Sequence, residues 1–360
     1  MPGLFDPITV RRAEIANRLW VAPMCQYSVQ ACDGVPTDWH LVHLGSLARG
    51  GAGLVIAEAT AISPDARITP QDTGLWNEEQ EAAWARITTF VRSQGAVAGI
   101  QLGHAGRKAS TFAPWGSERS GSVPPEDGGW PTVAPSAVAF EGYAVPRALA
   151  TEELPGIVRG FADAAARAVR AGFELVELHA AHGYLLHEFL SPLSNLREDA
   201  YGGSLENRAR LLLEVVRAMR AAIGDEVPLF VRFSGTDWAE GGWDVDETAI
   251  VSRWARDAGA DLFDVSSGGL VAHQSIPAGP GYQVPLAERV RGGGELTVSA
   301  VGLITDPHHA DEIVRSGRAD AIMLGREMLR DPHFPLRAAR ALGVEVAWPP
   351  QYLRARRPAA

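Results

Sequence analysis

The sequence predicts an α/β protein: a (β/α)8 TIM barrel forming a single domain, with a long loop after its third strand. Three observations predict it. Eight short apolar runs alternate with helical patterns along the chain. Nearly every run ends in polar or glycine residues, as barrel strands do at the face where sites are built. No GxGxxG follows a strand, which removes the main competitor, a doubly wound sheet.

The runs, in order, are RLWVAPM (18–24), AGLVIAEATAI (52–62), AVAGIQLGHAG (96–106), ELVELHAAH (174–182), PLFVRFSG (228–235), DLFDVSSGG (261–269), LTVSAVGLI (296–304) and DAIMLGRE (320–327). Each is rich in β-branched or other apolar residues and is bounded by turn formers, the pattern of a strand buried on both faces. Helical periodicity fills the intervals at 39–50, 77–94, 152–171, 204–223, 246–258, 282–291, 306–316 and 331–342. Residues 107–150 break the rhythm. They are dense in Pro, Gly and Ser and follow the third run, so they suit either a lid over the strand ends or a plain surface excursion.

The totals narrow the function classes. The chain has 360 residues, 46% hydrophobic and 21% charged, which is ordinary globular composition with length for a large core. A formal net charge of −10 repels phosphate backbones and anionic membrane surfaces, so the expectation is no nucleic acid and no membrane partner. Two cysteines, Cys25 and Cys32, are too few for a disulfide framework. The N-terminal segment lacks a basic stretch followed by an apolar core and a cleavage site, so the expected location is cytoplasmic.

The polar strand ends carry the candidate chemistry. Barrels commonly bind a phosphate between the loops after strands seven and eight. Here Gly302 and Gly325 offer close backbone approach and Arg326 a guanidinium, although turn geometry alone would also use those glycines. Arg232 places a cation inside the fifth run. Together these suggest a phosphorylated ligand carrying a further polar or negative ring. Across the barrel, His179, His182 and Tyr184 crowd one corner. Side chains alternate along a strand, so the two histidines share a site only if the strand ends at His179 and a helical turn follows. Three readings fit: a pair of donors to one oxygen, a hydrogen-bonded pair near a helix start, or a metal pair. The last needs a third ligand, and neither HExxH nor a cysteine pair supplies one.

The motifs NRLWVAPMCQYS, TDWH, EATAISPDARIT, GIQLGHAGRKAS, ELHAAHGYLLHEFLSPLSN, REDAYGGSLENRARLLLEVV, VRFSGTDW, GPGYQVPLAE, AVGLIT and LGREMLRDP span nearly the whole chain. On them the sequence resembles the old yellow enzyme family of FMN-dependent ene-reductases, in its thermophilic-like bacterial subclass. The resemblance implies an NADPH dehydrogenase that uses FMN and NADPH or NADH to reduce electron-poor alkenes: α,β-unsaturated ketones, aldehydes and maleimides. It implies ping-pong hydride transfer from flavin N5. It places Ala22, Pro23, Met24 and Cys25 along the flavin, Ala59 and Gln101 at the pyrimidine side, Arg232 near N1 and O2, and Gly302, Gly325 and Arg326 at the phosphate. His179 and His182 would hold the substrate carbonyl oxygen, Tyr184 would donate the proton, and Tyr27 would face the substrate.

In the same way Cys25 would tune the flavin, and Lys108 would line the entrance. Arg354, in the segment QYLR, would enter the active site of a neighbouring subunit, which implies a homodimer or dimer of dimers with the tail 343–360 at the interface. A solvated terminus is the plain alternative for Arg356 and Arg357. No metal is implied. The chain departs from the usual pattern at Gly103, Leu196 and Phe233, which bears on pocket shape.

Overall fold

A computed structural model describes residues 2–116 and 118–356, so Arg357 lies outside the described residues. The chain opens with a hairpin, β1 (Ile8–Val10) and β2 (Ala13–Ile15), that periodicity did not reveal because each strand is only three residues long. The barrel follows as β3 (Leu19–Val21), β4 (Leu54–Ala61), β5 (Val97–Gly103), then, after the short pair β6 (Val133–Ala134) and β7 (Arg147–Ala148), β8 (Leu175–Ala180), β9 (Leu229–Ser234), β10 (Leu262–Ser266), β11 (Val298–Ala300) and β12 (Ala321–Leu324). The eight barrel strands are parallel and close through the pairing of β12 with β3. All eight runs expected from the sequence are barrel strands.

Helices α1 (Asp38–Arg49), α2 (Glu78–Ser93), α3 (Leu154–Arg170), α5 (Leu205–Ile223), α6 (Val245–Asp257), α7 (Val284–Arg291), α8 (Pro307–Arg315) and α10 (Phe334–Ala341) correspond to the expected helices. Two more, α4 (Leu185–Leu190) and α9 (Arg326–Arg330), are one-turn pieces too short to show periodicity. Local chemistry starts the long ones. Thr37 and His40 form a capping box on α1, Asn77 and Gln80 one on α2, and Asp244 accepts the first free N–H groups of α6.

Two apolar layers result. The larger lies between the strands and the helices and includes Trp84, Phe161, Phe189 and Phe334. The smaller fills the barrel axis at the strand beginnings, where Trp20, Leu54, Val97, Leu175, Phe230 and Leu262 meet Val10 and Ile15 of the hairpin. The barrel is therefore sealed at its N-terminal end, and its C-terminal end is free for a site.

The segment 107–150 has structure of its own. It carries the β6–β7 pair and a bridge between Thr111 and Ser122. Arg107 ties it down by donating to Val138 O and Leu270 O. Trp130 donates to Asp65 O, and Arg67 lies 5.0 Å over the Trp130 ring.

Candidate active site

The His-rich corner is built by an unusual backbone. β8 runs one residue past His179, to Ala180, and the helical turn expected after it does not form. Instead His182 has φ +59° and Gly183 φ +74°, so two successive left-handed residues swing the chain out of the barrel before Tyr184 caps α4. A left-handed histidine persists only where its surroundings hold it. Ser234 Oγ accepts from His182 N at 2.9 Å, and Lys108 Nζ donates to His182 O at 2.8 Å and Gly269 O at 2.9 Å. Gly269 cannot carry a side chain, because a Cβ there would come within 2.7 Å of the His182 backbone.

Underneath, His187 Nδ1 accepts from Gly183 N at 2.9 Å while its Nε2 lies 2.9 Å from the buried Asp237 carboxylate. Asp237 also accepts from Ser191 Oγ and Trp243 N. Burial pushes its carboxyl up, and His187 with these donors outweighs that and holds it below its ordinary value.

This backbone brings the three side chains together. The His179 ring meets His182 at 5.2 Å and Tyr184 at 5.0 Å between centroids, each nearly perpendicular. His179 Nδ1 accepts from Ala181 N at 3.2 Å, so a neutral His179 carries its proton on Nε2 and presents a donor there. Burial, with Arg232 next, pushes both histidines well below their ordinary range, so they are neutral at neutral pH. His182 Nε2 lies 2.8 Å from Ser266 Oγ. Burial raises the Tyr184 phenol, which keeps its proton. Lys108 stands 5.1 Å over the Tyr184 ring and 4.9 Å over Phe140 from the long loop.

Cys25 and Tyr27 sit nearby on the segment that leaves β3. Their side chains are neighbours, and burial raises both. Tyr27 has φ +49° and packs edge-on against Trp115 at 5.1 Å, so the long loop reaches back over the strand ends. The position of Cys25 is set from the next strand. A bulge at Ala57–Ala59 inserts one residue, returns Ala59 to register with Gln101, and turns Glu58 outward to His40 of α1 at 2.9 Å. Glu58 also accepts from Gln26 N at 2.5 Å, which pins the backbone beside Cys25. Glu58 lies inside the second run, AGLVIAEATAI, which does not reveal this pairing, because it depends on the bulge.

At the far side, the ends of β10, β11 and β12 border a cleft of about 180 Å³ lined by Ser266, Gln283, Gly302, Gly325, Arg326 and Arg330. Gly302 has φ +128°, and a Cβ there would meet Gln283 Nε2 at 2.9 Å. Gly325 adjoins Met24, whose sulfur would be 3.5 Å from a Cβ on it. Gln283, which sequence reasoning missed, accepts from Ser267 Oγ at 2.6 Å and donates to Val301 O at 3.0 Å, joining the ends of β10 and β11. The two sides of the mouth meet at Arg232 and Gln101, both buried in the barrel. Arg232 Nε lies 2.8 Å from Asp264 Oδ2, and its Nη groups make no hydrogen bond among the described residues.

Arg354 lies apart from this mouth. It is exposed in the short helical turn Pro350–Ala355, whose Tyr352 rests against Arg49 at 5.2 Å and His333 at 5.9 Å. Arg356 pairs with Glu345. Among the described residues no cluster of three or more His, Cys, Asp or Glu could hold a metal ion, and no helix is long and apolar enough to cross a membrane.

The chain is a closed parallel α/β barrel, sealed below and carrying an arginine- and glycine-lined cleft at the ends of its last strands, the face where barrels of this class build their sites. The chain belongs to the NADH:flavin oxidoreductase / NADH oxidase family, the old yellow enzyme family, whose model matches residues 3–345. It is similar to the NADPH dehydrogenase of Bacillus subtilis (strain 168), 46% identical over 352 residues and 98% of each chain. A second relative is the NADH:flavin oxidoreductase FG08077 of Gibberella zeae, 47% identical over 95% of this chain and 86% of that one.

Among solved structures, morphinone reductase in complex with tetrahydroNAD superposes with a TM-score of 0.78 at 31% identity, over 98% of this chain and 94% of that one. The old yellow enzyme homologue of Zymomonas mobilis also reaches 0.78, at 29% identity over 97% and 98%. The chain is thus an oxidoreductase of the NADPH dehydrogenase type, with FMN as cofactor and NADPH or NADH as reductant.

Proposed function

We propose that this FMN-dependent oxidoreductase reduces the C=C bond of electron-poor alkenes conjugated to a carbonyl group. The observation that carries the reading is the convergence of His179, His182 and Tyr184 at one corner of the mouth that also holds Arg232 and the arginine- and glycine-lined cleft.

The residues fit FMN. Gly302, Gly325 and Arg326 would hold its phosphate, in a cradle that a side chain at 302 would fill. The free Nη groups of Arg232 and the Gln101 amide would meet the polar edge of the ring, with Ala59 beside them and Ala22, Pro23, Met24 and Cys25 along one side. Bound there, FMN would supply the hydride-transfer chemistry between nicotinamide and alkene. A neighbour in fold binds tetrahydroNAD, which supports one shared pocket for both partners.

The protein's own share follows from the hydrogen bonds. His179 donates from Nε2 to the substrate carbonyl oxygen. For His182 the Ser266 hydroxyl decides the tautomer. Ser266 Oγ lies 2.8 Å from His182 Nε2 and 3.5 Å from Gln283 Oε1, which Ser267 Oγ reaches at 2.6 Å, and the Ser266 proton is here assigned to the shorter of its two contacts, His182 Nε2. The His182 proton then sits on Nδ1, the second donor. As negative charge grows on the carbonyl oxygen, both bonds strengthen, and catalysis comes from interactions stronger in the transition state than in the ground state. Tyr184, protonated and overlooked by Lys108, delivers a proton to the carbon next to the carbonyl. Tyr27 and the capping segment 107–150, through Trp115 and Phe140, bound the substrate side.

Arg354 is assigned to a neighbouring subunit's site in a homodimer or dimer of dimers. Its exposure and its distance from its own chain's mouth support this. The two free cysteines support a cytoplasmic location. The test is the visible spectrum of the purified protein: yellow as prepared, bleached by anaerobic NADPH, and coloured again when cyclohexenone is added. A colourless protein, or one whose colour cyclohexenone does not restore, would end the reading.

A further inference from the structure

The barrel interior under the ring edge of the FMN site contains charge where a packed core would hold none. Glu177 on β8 and Asp264 on β10 are each 0% exposed, with Arg232 of β9 between them. Asp264 is well served: Oδ2 lies 2.8 Å from Arg232 Nε, and Oδ1 accepts from Ser299 Oγ of β11 at 3.1 Å. Glu177 touches no cation. Its Oε1 accepts from Gln101 Nε2 of β5 at 2.8 Å, and its Oε2 has no hydrogen-bond partner. On its own strand the next inward titratable group is the neutral His179, and the cluster that fills the barrel axis below, with Trp20, Phe230 and Met323, is apolar.

One guanidinium therefore faces two carboxyl groups in a sealed layer. Ionising both leaves a buried charge without compensation, which is strongly unfavourable. Burial raises Asp264 as well, but Arg232 at 2.8 Å and the Ser299 hydroxyl both favour its charged form, and it is the member that ionises. Glu177 is the member that keeps its proton: burial raises it to about 8, Asp264 adds to that, and Arg232 and Gln101 oppose it. The Glu177–Gln101 bond also sets the amide. With Nε2 committed to Glu177, Gln101 presents its oxygen, an acceptor, toward the mouth.

We propose that Glu177 is a positioning residue for the flavin: it orients the Gln101 amide, and it binds a solvent proton when the ring edge above it gains negative charge. The inference rests on the FMN placement proposed above. In reduction, two electrons and one proton arrive from NADPH, which leaves oxidised, and the site gains one negative charge. A Glu177 carboxylate, present in alkaline solution, then takes one proton to become the carboxylic acid, and the layer's net charge is restored.

The experiment is the midpoint potential of the bound FMN against pH, in the wild-type holoenzyme and in Glu177→Gln, which keeps size and an acceptor for Gln101 but cannot titrate. In a two-electron couple each tenfold step is worth about 30 mV. The wild type is expected to fall by about 30 mV per pH unit below the Glu177 midpoint of the oxidised protein, by about 60 mV between that midpoint and the higher one of the reduced protein, and by about 30 mV again beyond it, and Glu177→Gln by about 30 mV throughout. Reduced-minus-oxidised infrared spectra of the wild type, taken about one pH unit above that midpoint, should gain a protonated-carboxyl band. Equal slopes in a yellow wild type and a yellow variant, or no such band, would overturn this inference and leave the FMN placement standing. A wild-type protein that takes up no FMN would overturn both.

Discussion

The Ser266 hydroxyl lies 2.8 Å from Nε2 of His182, across the mouth from β10 to the turn after β8. On the proposed assignment Ser266 donates in this contact, which leaves the His182 proton on Nδ1 and lets both histidines donate to one oxygen. Ser266→Ala removes the donor, so His182 can protonate Nε2 and present a lone pair instead. We expect phenolates, which resemble the developing enolate, to bind the oxidised holoenzyme about 10- to 100-fold more weakly in this variant, the worth of one hydrogen bond to a charged group. Titration of the flavin spectrum measures it. Unchanged affinity would remove Ser266 from the tautomer argument.

Tyr184→Phe keeps the ring against His179 and deletes only the transferable proton. Alkene reduction should slow by roughly 10² to 10⁴, the usual worth of a general acid. Flavin reduction by NADPH needs no proton from this phenol and should stay within a few-fold of wild type. Stopped-flow measurement of the two half-reactions separates them, and equal losses in both would show that the phenol is not the proton donor.

Arg326 reaches the cleft at the ends of β11 and β12 from an exposed position. Arg326→Ala should weaken FMN binding by about 10- to 100-fold, as the loss of a charge-assisted bond does. The fold should be unaffected, because the side chain packs against no core. Fluorescence titration of the apoprotein with FMN reads the first, and thermal unfolding without FMN reads the second.

Asp237 predicts a pH dependence of stability. Its folded-state value lies below the unfolded one, so the His187–Asp237 pair contributes fully above the ordinary aspartate value, near pH 4, and its contribution disappears as pH falls through the folded value. Asp237→Asn should therefore cost about 1–3 kcal/mol near neutral pH, where it breaks a buried charged network. The gap between variant and wild type should narrow below about pH 4. Denaturant unfolding of the two proteins across pH 3 to 7 tests the sign; a gap that widens toward acid would contradict it. The same variant loosens the anchor of Gly183, so alkene reduction should fall with it.

The sequence by itself determined the eight barrel strands and eight of the helices, and it named the groups that crowd the mouth. It could do so because alternation, helical period and capping are properties of neighbouring residues: ELVELHAAH and PLFVRFSG each declare a buried strand that ends in polar or glycine residues. Only the tertiary structure decided how those groups pair. The Ala57–Ala59 bulge sends Glu58 to His40, closure of the barrel sets Arg232 against Asp264 and Gln101 against Glu177, and packing of Gly269 on His182 holds a left-handed histidine. These partners stand up to 87 residues apart along the chain. Strand register, which a one-residue slip would reverse, is fixed only when all eight strands close on each other.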